Sequence, residues 1–284
     1  DKECELSDWS EWGSCSKQCN TGHRVQTREI DEPAVGEGGC PSEHSSRRFR
    51  SENCNQQPCT KAGQYLQCDS AVDVVLALDG SLSLGNLGWY ATKRAAKHLV
   101  KAIGNGRASS RVKVLLYSGP LGKGAWNKIQ MCNGLLAPDW SGGSMEEVCK
   151  MQWLNEDWTS DTDAAIKAID DAKWPMGTTQ TAIALGLAET AMGSAREGVK
   201  KRVVFITDGK PMYSDRTYEA AVRLKKKAEL YMVPVTTSAP PIEQVNEWAS
   251  FPSSEHVVSA KTWFSLWSTD FTDQLVANMC PSVS

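Results

Sequence analysis

The sequence predicts an α/β fold, doubly wound around a mostly parallel sheet, preceded by a small module held together by disulfides. Three observations carry this. Two largely apolar runs, residues 72–78 and 203–207, have the length and β-branched content of strands covered on both faces. Helical patterns alternate with such runs along the larger part of the chain, as a doubly wound sheet requires. Six of the ten cysteines, Cys4, Cys15, Cys19, Cys40, Cys54 and Cys59, crowd into the first sixty residues, which are poor in aliphatic side chains. A segment that small and polar cannot close a hydrophobic core, and disulfides usually compensate.

At 284 residues the chain is long for one domain and fits two. The predicted division is a module over 1–60, a linker over 61–67 and a larger domain over 68–284. Hydrophobic residues make up 40%, enough to pack a core in the larger part. The net charge of -3 argues against a nucleic-acid surface. No stretch approaches the roughly 18 apolar residues of a membrane helix. No signal peptide is visible at Asp1, so a secretory signal is expected to have been removed or to be absent from this chain.

The elements of the larger domain follow in order. A strand over 72–78 leads to a helix over about 88–103, with Leu99, Val100 and Ile103 on its apolar face, and a strand over 111–117. The alternation then breaks over about 119–148, a glycine-rich stretch with Trp126, Pro138 and Trp140 that reads as an insertion on the ligand-facing or lateral surface. With Trp153 and Trp158 nearby, these tryptophans suit a protein interface as well as a core. The segment 150–154, helices over 161–171 and 182–192, a strand over 203–207 and a helix over 216–230 come next. A strand over 232–236, a helix over 242–250, a strand over 256–258 and a helix over 263–279 complete the domain.

The most informative pentapeptide is Asp79-Gly80-Ser81-Leu82-Ser83, placed where the first buried strand ends. In open parallel sheets, ligands gather outside the carboxyl ends of strands. One carboxylate and two hydroxyls spaced by two residues offer oxygen only, which suits a hard cation such as magnesium. Taken alone, the same residues also suit a turn closed by Asp or Ser side chains. Two later segments add to the first. The run 203–207 ends in Asp208-Gly209 at the same kind of edge, and Gly177-Thr178-Thr179-Gln180-Thr181 supplies another hydroxyl where a helix begins.

In order and spacing these three segments resemble the metal-ion-dependent adhesion site of the von Willebrand factor A domain, the integrin I-domain family. The resemblance implies a cation, Mg2+ or else Mn2+ or Ca2+, held by Asp79, Ser81, Ser83, Thr179 and Asp208. Thr178 is the neighbouring alternative, and only the register from Gly177 favours Thr179. In that family an acidic side chain of a partner protein completes the coordination, so the resemblance implies binding without turnover.

Four cysteines lie beyond the module. Cys68 precedes the first strand and Cys280 follows the last helix, so a bridge between them would clasp the ends of the domain, as in several extracellular members of the family. The chain-entropy model gives about 5 kcal/mol for a loop of that length. Cys132 and Cys149 would close a local loop. An even count with no orphan implies an oxidising setting, secreted or at a cell surface.

Six cysteines allow fifteen connectivities, and zinc is disfavoured because neither close C-x-x-C pairs nor histidine ligands appear. Trp9-Ser10-Glu11-Trp12-Gly13-Ser14-Cys15 followed by Cys19-Asn20-Thr21-Gly22-His23-Arg24-Val25-Gln26-Thr27-Arg28 resembles a thrombospondin type 1 repeat, a three-stranded module. The resemblance implies the pairs Cys4–Cys40, Cys15–Cys54 and Cys19–Cys59. Arg24, Gln26 and Arg28 alternate with period two and share one strand face. From there the guanidinium planes can stack on Trp9 and Trp12 in place of a conventional core. The W-x-x-W spacing matches the family's C-mannosylation motif, making Trp9 and Trp12 candidates. Gln18 stands where many members carry the O-fucose acceptor, and no N-x-S/T acceptor is present. The basic cluster Arg47, Arg48 and Arg50 is a candidate for sulfated glycans.

Other signals carry less. The Gly-Lys-Gly within 119–124 lacks the spacing and hydroxyl of a phosphate loop. Lys225, Lys226 and Lys227 read as a solvated helix face. The four histidines form no metal or triad pattern, and no enzyme constellation is present. The resulting expectation is an adhesion protein, secreted or at a cell surface. It would bind an acidic protein ligand through a cation, with sulfated glycans as a second ligand class. A matrix or assembly component using the larger domain as a spacer is the competing class. The two modules together resemble adhesins related to thrombospondin-related anonymous protein, with the order reversed.

Overall fold

The computed structural model describes residues 2–17, 19, 21–36, 39–57, 66–104, 109–140, 143–235 and 242–284. It divides into two units, Asp1–Gly63 and Gln64–Ser284, treated separately below.

In the first unit, β1 (Glu5–Leu6) and β3 (Ile30–Glu32) form one antiparallel pair, and β2 (Gly22–Thr27) and β4 (Phe49–Cys54) form another. The tryptophan segment adds no third ladder strand. It touches β2 through single bonds, Ser10 N to Thr27 O, Gly13 N to Val25 O and Ser16 N to His23 O, each of 2.8–2.9 Å. Donors three residues apart meet acceptors two residues apart, and that mismatch with the pleat leaves the segment rippled rather than extended.

Stacking does the work of a core. Arg24 lies 5.3 Å from the Trp12 ring, Arg50 lies 5.6 Å from Trp12 and 4.4 Å from Trp9, and Arg28 lies 5.6 Å from Trp9. Gln26 stands opposite Arg50 in the β2–β4 register, accepts from its Nε at 2.7 Å and donates to the Ser10 carbonyl. The bridges Cys4–Cys40 and Cys15–Cys54 close this unit. Cys19 is disulfide-bonded, and the expected partner Cys59 lies outside the described residues.

The second unit is a five-stranded sheet in the order β7-β6-β5-β8-β9. Its first elements are β5 (Val72–Asp79), α1 (Gly85–Gly104), β6 (Arg111–Tyr117), α2 (Ala125–Cys132), α3 (Met145–Cys149) and β7 (Met151–Trp153). They are followed by α4 (Thr162–Asp171), α5 (Thr181–Ala191), β8 (Lys200–Thr207), α6 (Ser214–Lys225) and β9 (Glu229–Pro234). The chain ends with α7 (Ile242–Trp248), α8 (Ser253–His256), α9 (Trp263–Leu266) and α10 (Thr269–Met279). All pairings are parallel except the antiparallel edge strand β7. Every residue of β5 is buried, as a central strand covered on both faces must be. Val75, Ala77, Leu115, Tyr117, Val203 and Phe205 point into one core, shared with Leu185, Ala188, Leu224 and Trp248 of α5, α6 and α7. Their alternates, Val74, Leu76, Leu78, Val114 and Leu116, are buried on the opposite face. There α1 packs with α4, α9 and α10.

Several elements depart from the sequence expectations. The helix expected over 216–230 ends at Lys225, and β9 begins at Glu229. Glu229 and Leu230 are drawn into the sheet by register with Arg202 and Val203, and the Glu229 carboxylate pairs with Arg202 at 2.9 Å. Residues 256–258 make no strand. Val257 and Ala260 form isolated bridges to Met232 and Val235, and contacts three residues apart build no ladder. The last helix is broken between α9 and α10, where Ser268 accepts from the Phe271 N–H as a fresh N-cap.

The insertion over 119–148 contains α2 and α3, the latter started by a Ser144–Glu147 capping box. Trp140, Trp153 and Trp158 pack against the core, and Trp126 is 56% exposed. The tail of the expected linker belongs to this unit: Leu66 is buried, and Gln67 exchanges backbone hydrogen bonds with Ser284. Cys132–Cys149 ties α2 to α3, and Cys68–Cys280 joins the chain before β5 to the end of α10. Among the described residues, no helix is long and apolar enough to cross a membrane.

Candidate metal centre

The chain leaves β5 and β8 at neighbouring carboxyl ends, and the connection from β5 leads to β6 on one side while that from β8 leads to β9 on the other. This is the crevice where a doubly wound sheet leaves room for a ligand. Asp79 closes β5, and its Oδ1 accepts from the Ser81 N–H at 2.8 Å while its Oδ2 accepts from the Thr207 hydroxyl at 2.6 Å. Ser81 and Ser83 hydroxyls lie 3.0 Å apart. The Ser83 hydroxyl also donates to Asp208 Oδ1 at 3.0 Å. Four of the five sequence-predicted residues are thus joined by hydrogen bonds.

The fifth follows from glycine packing. A Cβ on Gly209 would stand 2.6 Å from Thr179 Oγ1, so this hydroxyl faces the loop that carries Asp208. Thr178 turns elsewhere: its hydroxyl donates to the Pro120 carbonyl at 3.3 Å. The structure therefore distinguishes two threonines that spacing left open. Gly177 is required for the same loop, because a Cβ there would lie 1.8 Å from the Gly119 carbonyl oxygen.

Asp79, Ser81, Thr179 and Asp208 are buried, and Ser83 is exposed. Burial raises the Asp79 carboxyl above its ordinary range, against the opposing effect of the Ser81 and Thr207 hydrogen bonds. Burial and then the Asp79 charge push Asp208 up to about 6. Tyr117, fully buried and within the field of Asp79, is raised well above the ordinary phenol value, first by burial and then by that carboxylate. Among the described residues no lysine or arginine forms an ion pair with either carboxylate, although neighbouring acids of this kind demand a counter-charge. Two carboxylates and three hydroxyls, all oxygen, fit a hard divalent cation.

Sequence reasoning missed the residues that brace the site. Thr207 was read only as strand, yet its hydroxyl orients Asp79. Ser118 accepts from the Gly177 N–H at 2.9 Å and donates to the Gly80 carbonyl at 3.1 Å, locking two of the loops together. Trp174 donates from Nε1 to the Ser81 carbonyl at 3.2 Å. Only the hydroxyl next to Asp208 in the motif offered a signal in advance.

Of the glycan candidates in the first unit, Arg50 is the middle rung of the stack. Arg48 donates to the Arg28 and Pro41 carbonyls. Arg47 is exposed. The C-mannosylation candidates Trp9 and Trp12 both lie in the stack.

Comparisons with known proteins place these observations. Residues 73–274 match the von Willebrand factor type A domain, and residues 7–59 match the thrombospondin type 1 domain. Spondin-1 of Rattus norvegicus is 40% identical over 57 residues, 20% of this chain and 7% of Spondin-1. Proximal thread matrix protein 1 from the mussel byssus superposes with a TM-score of 0.56 at 16% identity, over 75% of this chain and 49% of that one. The same mussel protein with a zinc-occupied MIDAS motif gives 0.53 at 18% identity, over 71% of this chain and 46% of that one. The chain therefore spans a small part of Spondin-1 and about half of the mussel protein, and at these identities the structures share the fold. With the matched segment covering most of its length, the chain belongs to the von Willebrand factor type A domain family and carries a thrombospondin type 1 domain ahead of that fold.

Proposed function

We propose that the protein is an extracellular adhesion protein that captures a protein ligand through a divalent cation, without turnover. The observation that carries this reading is the pair of buried carboxylates, Asp79 and Asp208, joined through Ser81 and Ser83, with no ion pair from a basic side chain to either among the described residues. Asp79, Ser81, Ser83, Thr179 and Asp208 would hold the ion. The ion would supply the positive charge that an acidic side chain of the partner requires. Magnesium suits the all-oxygen donor set, and manganese or calcium would be accommodated by the same chemistry. The zinc named for the mussel protein supports a divalent ion at this place in the fold.

The surroundings support a protein partner. Leu82, Met176 and Met212 are 50%, 45% and 36% exposed. Each is pinned to the site by its own backbone N–H, bonded to the carbonyls of Gly177, Gly80 and Thr179. Met176 is held in the left-handed region at φ 53°, a conformation that a methionine adopts only when its surroundings impose it. Exposed apolar side chains held beside a polar centre make a surface that a partner can cover, unlike a wholly solvated ion site. The partner group is therefore a carboxylate flanked by apolar side chains. The disulfides support a secreted or cell-surface setting.

The test is binding of the full chain to immobilised peptides carrying one glutamate flanked either by leucine or by glycine, in Mg2+ and in chelator. Capture of the leucine-flanked peptide in Mg2+, lost in chelator and in Asp208→Asn, supports the proposal. Assembly or binding that ignores both would instead assign the domain a spacer role in a matrix.

A further inference from the structure

Helix α1 carries Lys93, Arg94, Lys97, His98 and Lys101 along one side. Residues 93, 97 and 101 repeat every four positions, and 94 and 98 lie beside them, so the side chains form two adjoining rows. Both rows line an open groove of about 550 Å3 between α1 and α4, whose other walls include Trp89, Ile166 and Asp170.

The charge in this groove is not balanced. Lys97 pairs with Asp170 Oδ1 at 2.7 Å, and Lys93 donates to the Asp170 carbonyl at 2.6 Å. Asp170 is the one carboxylate paired with these rows among the described residues. Arg94 and Lys101 are exposed, and no ion pair engages either of them among the described residues. Like charges one turn apart on a helix repel and weaken it, so four cations against one carboxylate leave a local excess of positive potential. His98 registers that excess: burial, then Arg94, Lys101 and Lys97, hold it below its ordinary value. Its buried Nδ1 has no hydrogen-bond partner.

The shape of the excess narrows the ligand. Successive cations stand about 6 Å apart and the row spans about 12 Å, the length of an extended polyanion rather than of a single phosphate. Trp89 and Tyr90 line the groove, and Tyr90 connects it to a neighbouring aromatic cluster. Arg94 lies 5.1 Å from the Trp267 ring, which meets Tyr90 and Phe264 edge-on at 5.6 and 5.3 Å. Tyr90 and Phe264 are 57% and 61% exposed, and flat apolar faces of this kind suit the faces of sugar rings.

We propose that the α1–α4 groove is a binding site for an extended sulfated glycan, with Arg94, Lys97 and Lys101 contacting its sulfates and Tyr90 flanking a sugar. The site is separate from the cation centre and does not depend on it. In the first unit Arg48 and Arg50 are engaged by carbonyls and rings, whereas here Arg94 and Lys101 are exposed beside a groove.

The experiment is calorimetric titration of the full chain with a heparin-derived octasaccharide, in chelator, at low and at physiological salt. The proposal expects binding that persists in chelator, weakens steeply with salt and falls at least tenfold in the double variant Arg94→Glu/Lys101→Glu. Both residues are exposed, and unchanged melting of the variant shows that it folds. Lys226→Glu, on the charged end of α6, and Arg47→Glu are expected to change affinity less than twofold. No binding by the wild type overturns the proposal. So do equal binding of the desulfated octasaccharide, loss in Arg47→Glu with none in the α1 variant, and binding to phosphatidylserine vesicles without binding to the glycan.

Discussion

The Ser83 hydroxyl donates to Asp208 Oδ1 at 3.0 Å, joining residues 125 positions apart across the carboxyl ends of β5 and β8. A short exposed side chain thereby holds a buried acid beside Asp79. This relationship makes the two loops one site.

The first prediction concerns pH. The Asp208 carboxyl is raised to about 6 in the folded protein, by burial first and by Asp79 second. Between the ordinary carboxylate value and 6, the folded state therefore binds more protons than the unfolded state, and cation-free stability falls as pH rises through that window. Melting in chelator is expected to be higher at pH 5 than at pH 7.5 as far as this group is concerned. Asp208→Asn should flatten the difference and stabilise the cation-free protein at pH 7.5 by about 1–3 kcal/mol. A variant less stable than wild type at pH 7.5 in chelator contradicts the assignment.

Gly177→Ala tests the loop. Its Cβ would fall 1.8 Å from the Gly119 carbonyl oxygen, and backbone on both sides must shift to admit it. Overpacking of this kind costs about 1–3 kcal/mol and here displaces Thr179 as well. Urea denaturation should show the loss, and cation-induced stabilisation should shrink by more than half. Full retention of that stabilisation would separate the loop from the site.

The arginine–tryptophan stack gives a third. Arg47 and Arg50 are both exposed, but Arg50 stacks on Trp9 and Trp12 whereas Arg47 has no ring stack among the described residues. Arg50→Ala should destabilise the first unit by about 1–3 kcal/mol through two lost stacking contacts and the Gln26 hydrogen bond, and Arg47→Ala by less than about 0.5. Tryptophan fluorescence during denaturation reads the difference. Equal effects would remove Arg50 from the stack.

Cys68–Cys280 closes a loop of 212 residues. The chain-entropy model gives about 5 kcal/mol, so the double variant Cys68→Ser/Cys280→Ser should lose a large part of the second unit's stability. Cys132→Ser/Cys149→Ser, whose loop is 17 residues, should lose about 3 kcal/mol. Denaturant midpoints rank the two, and the reverse ranking would contradict the loop-length argument.

Much of this molecule was legible because its central strands are largely apolar runs, broken in the first only by Asp73. Once 72–78 and 203–207 are read as buried strands, Asp79 and Asp208 fall at their carboxyl ends, and the loop over 177–181 supplies the hydroxyl. What escaped depends on contacts between distant loops. Ser118 and Trp174 look ordinary in sequence, and only folding brings them to Gly177 and Ser81. The end of α6 was hidden because Lys226, Lys227 and Ala228 carry no glycine or proline, and Leu224 and Leu230 continue a helical pattern into what is strand. In sequence Arg50 reads as part of a basic cluster that is a candidate for sulfated glycans, because its place between two rings is set by the Gln26↔Arg50 register. The tryptophan segment has strand-like residues, and its three-residue bonding pitch is visible only against β2.

The central claim is that Asp79, Ser81, Ser83, Thr179 and Asp208 form a cation site, and isothermal titration of Mg2+ and Mn2+ into the chelator-stripped full chain tests it most directly. The account predicts one saturable site per chain, weakened at least tenfold by Ser83→Ala, an exposed position that leaves the fold intact, and abolished by Asp79→Ala. No heat of binding in the wild type, or equal binding in all three proteins, would contradict it.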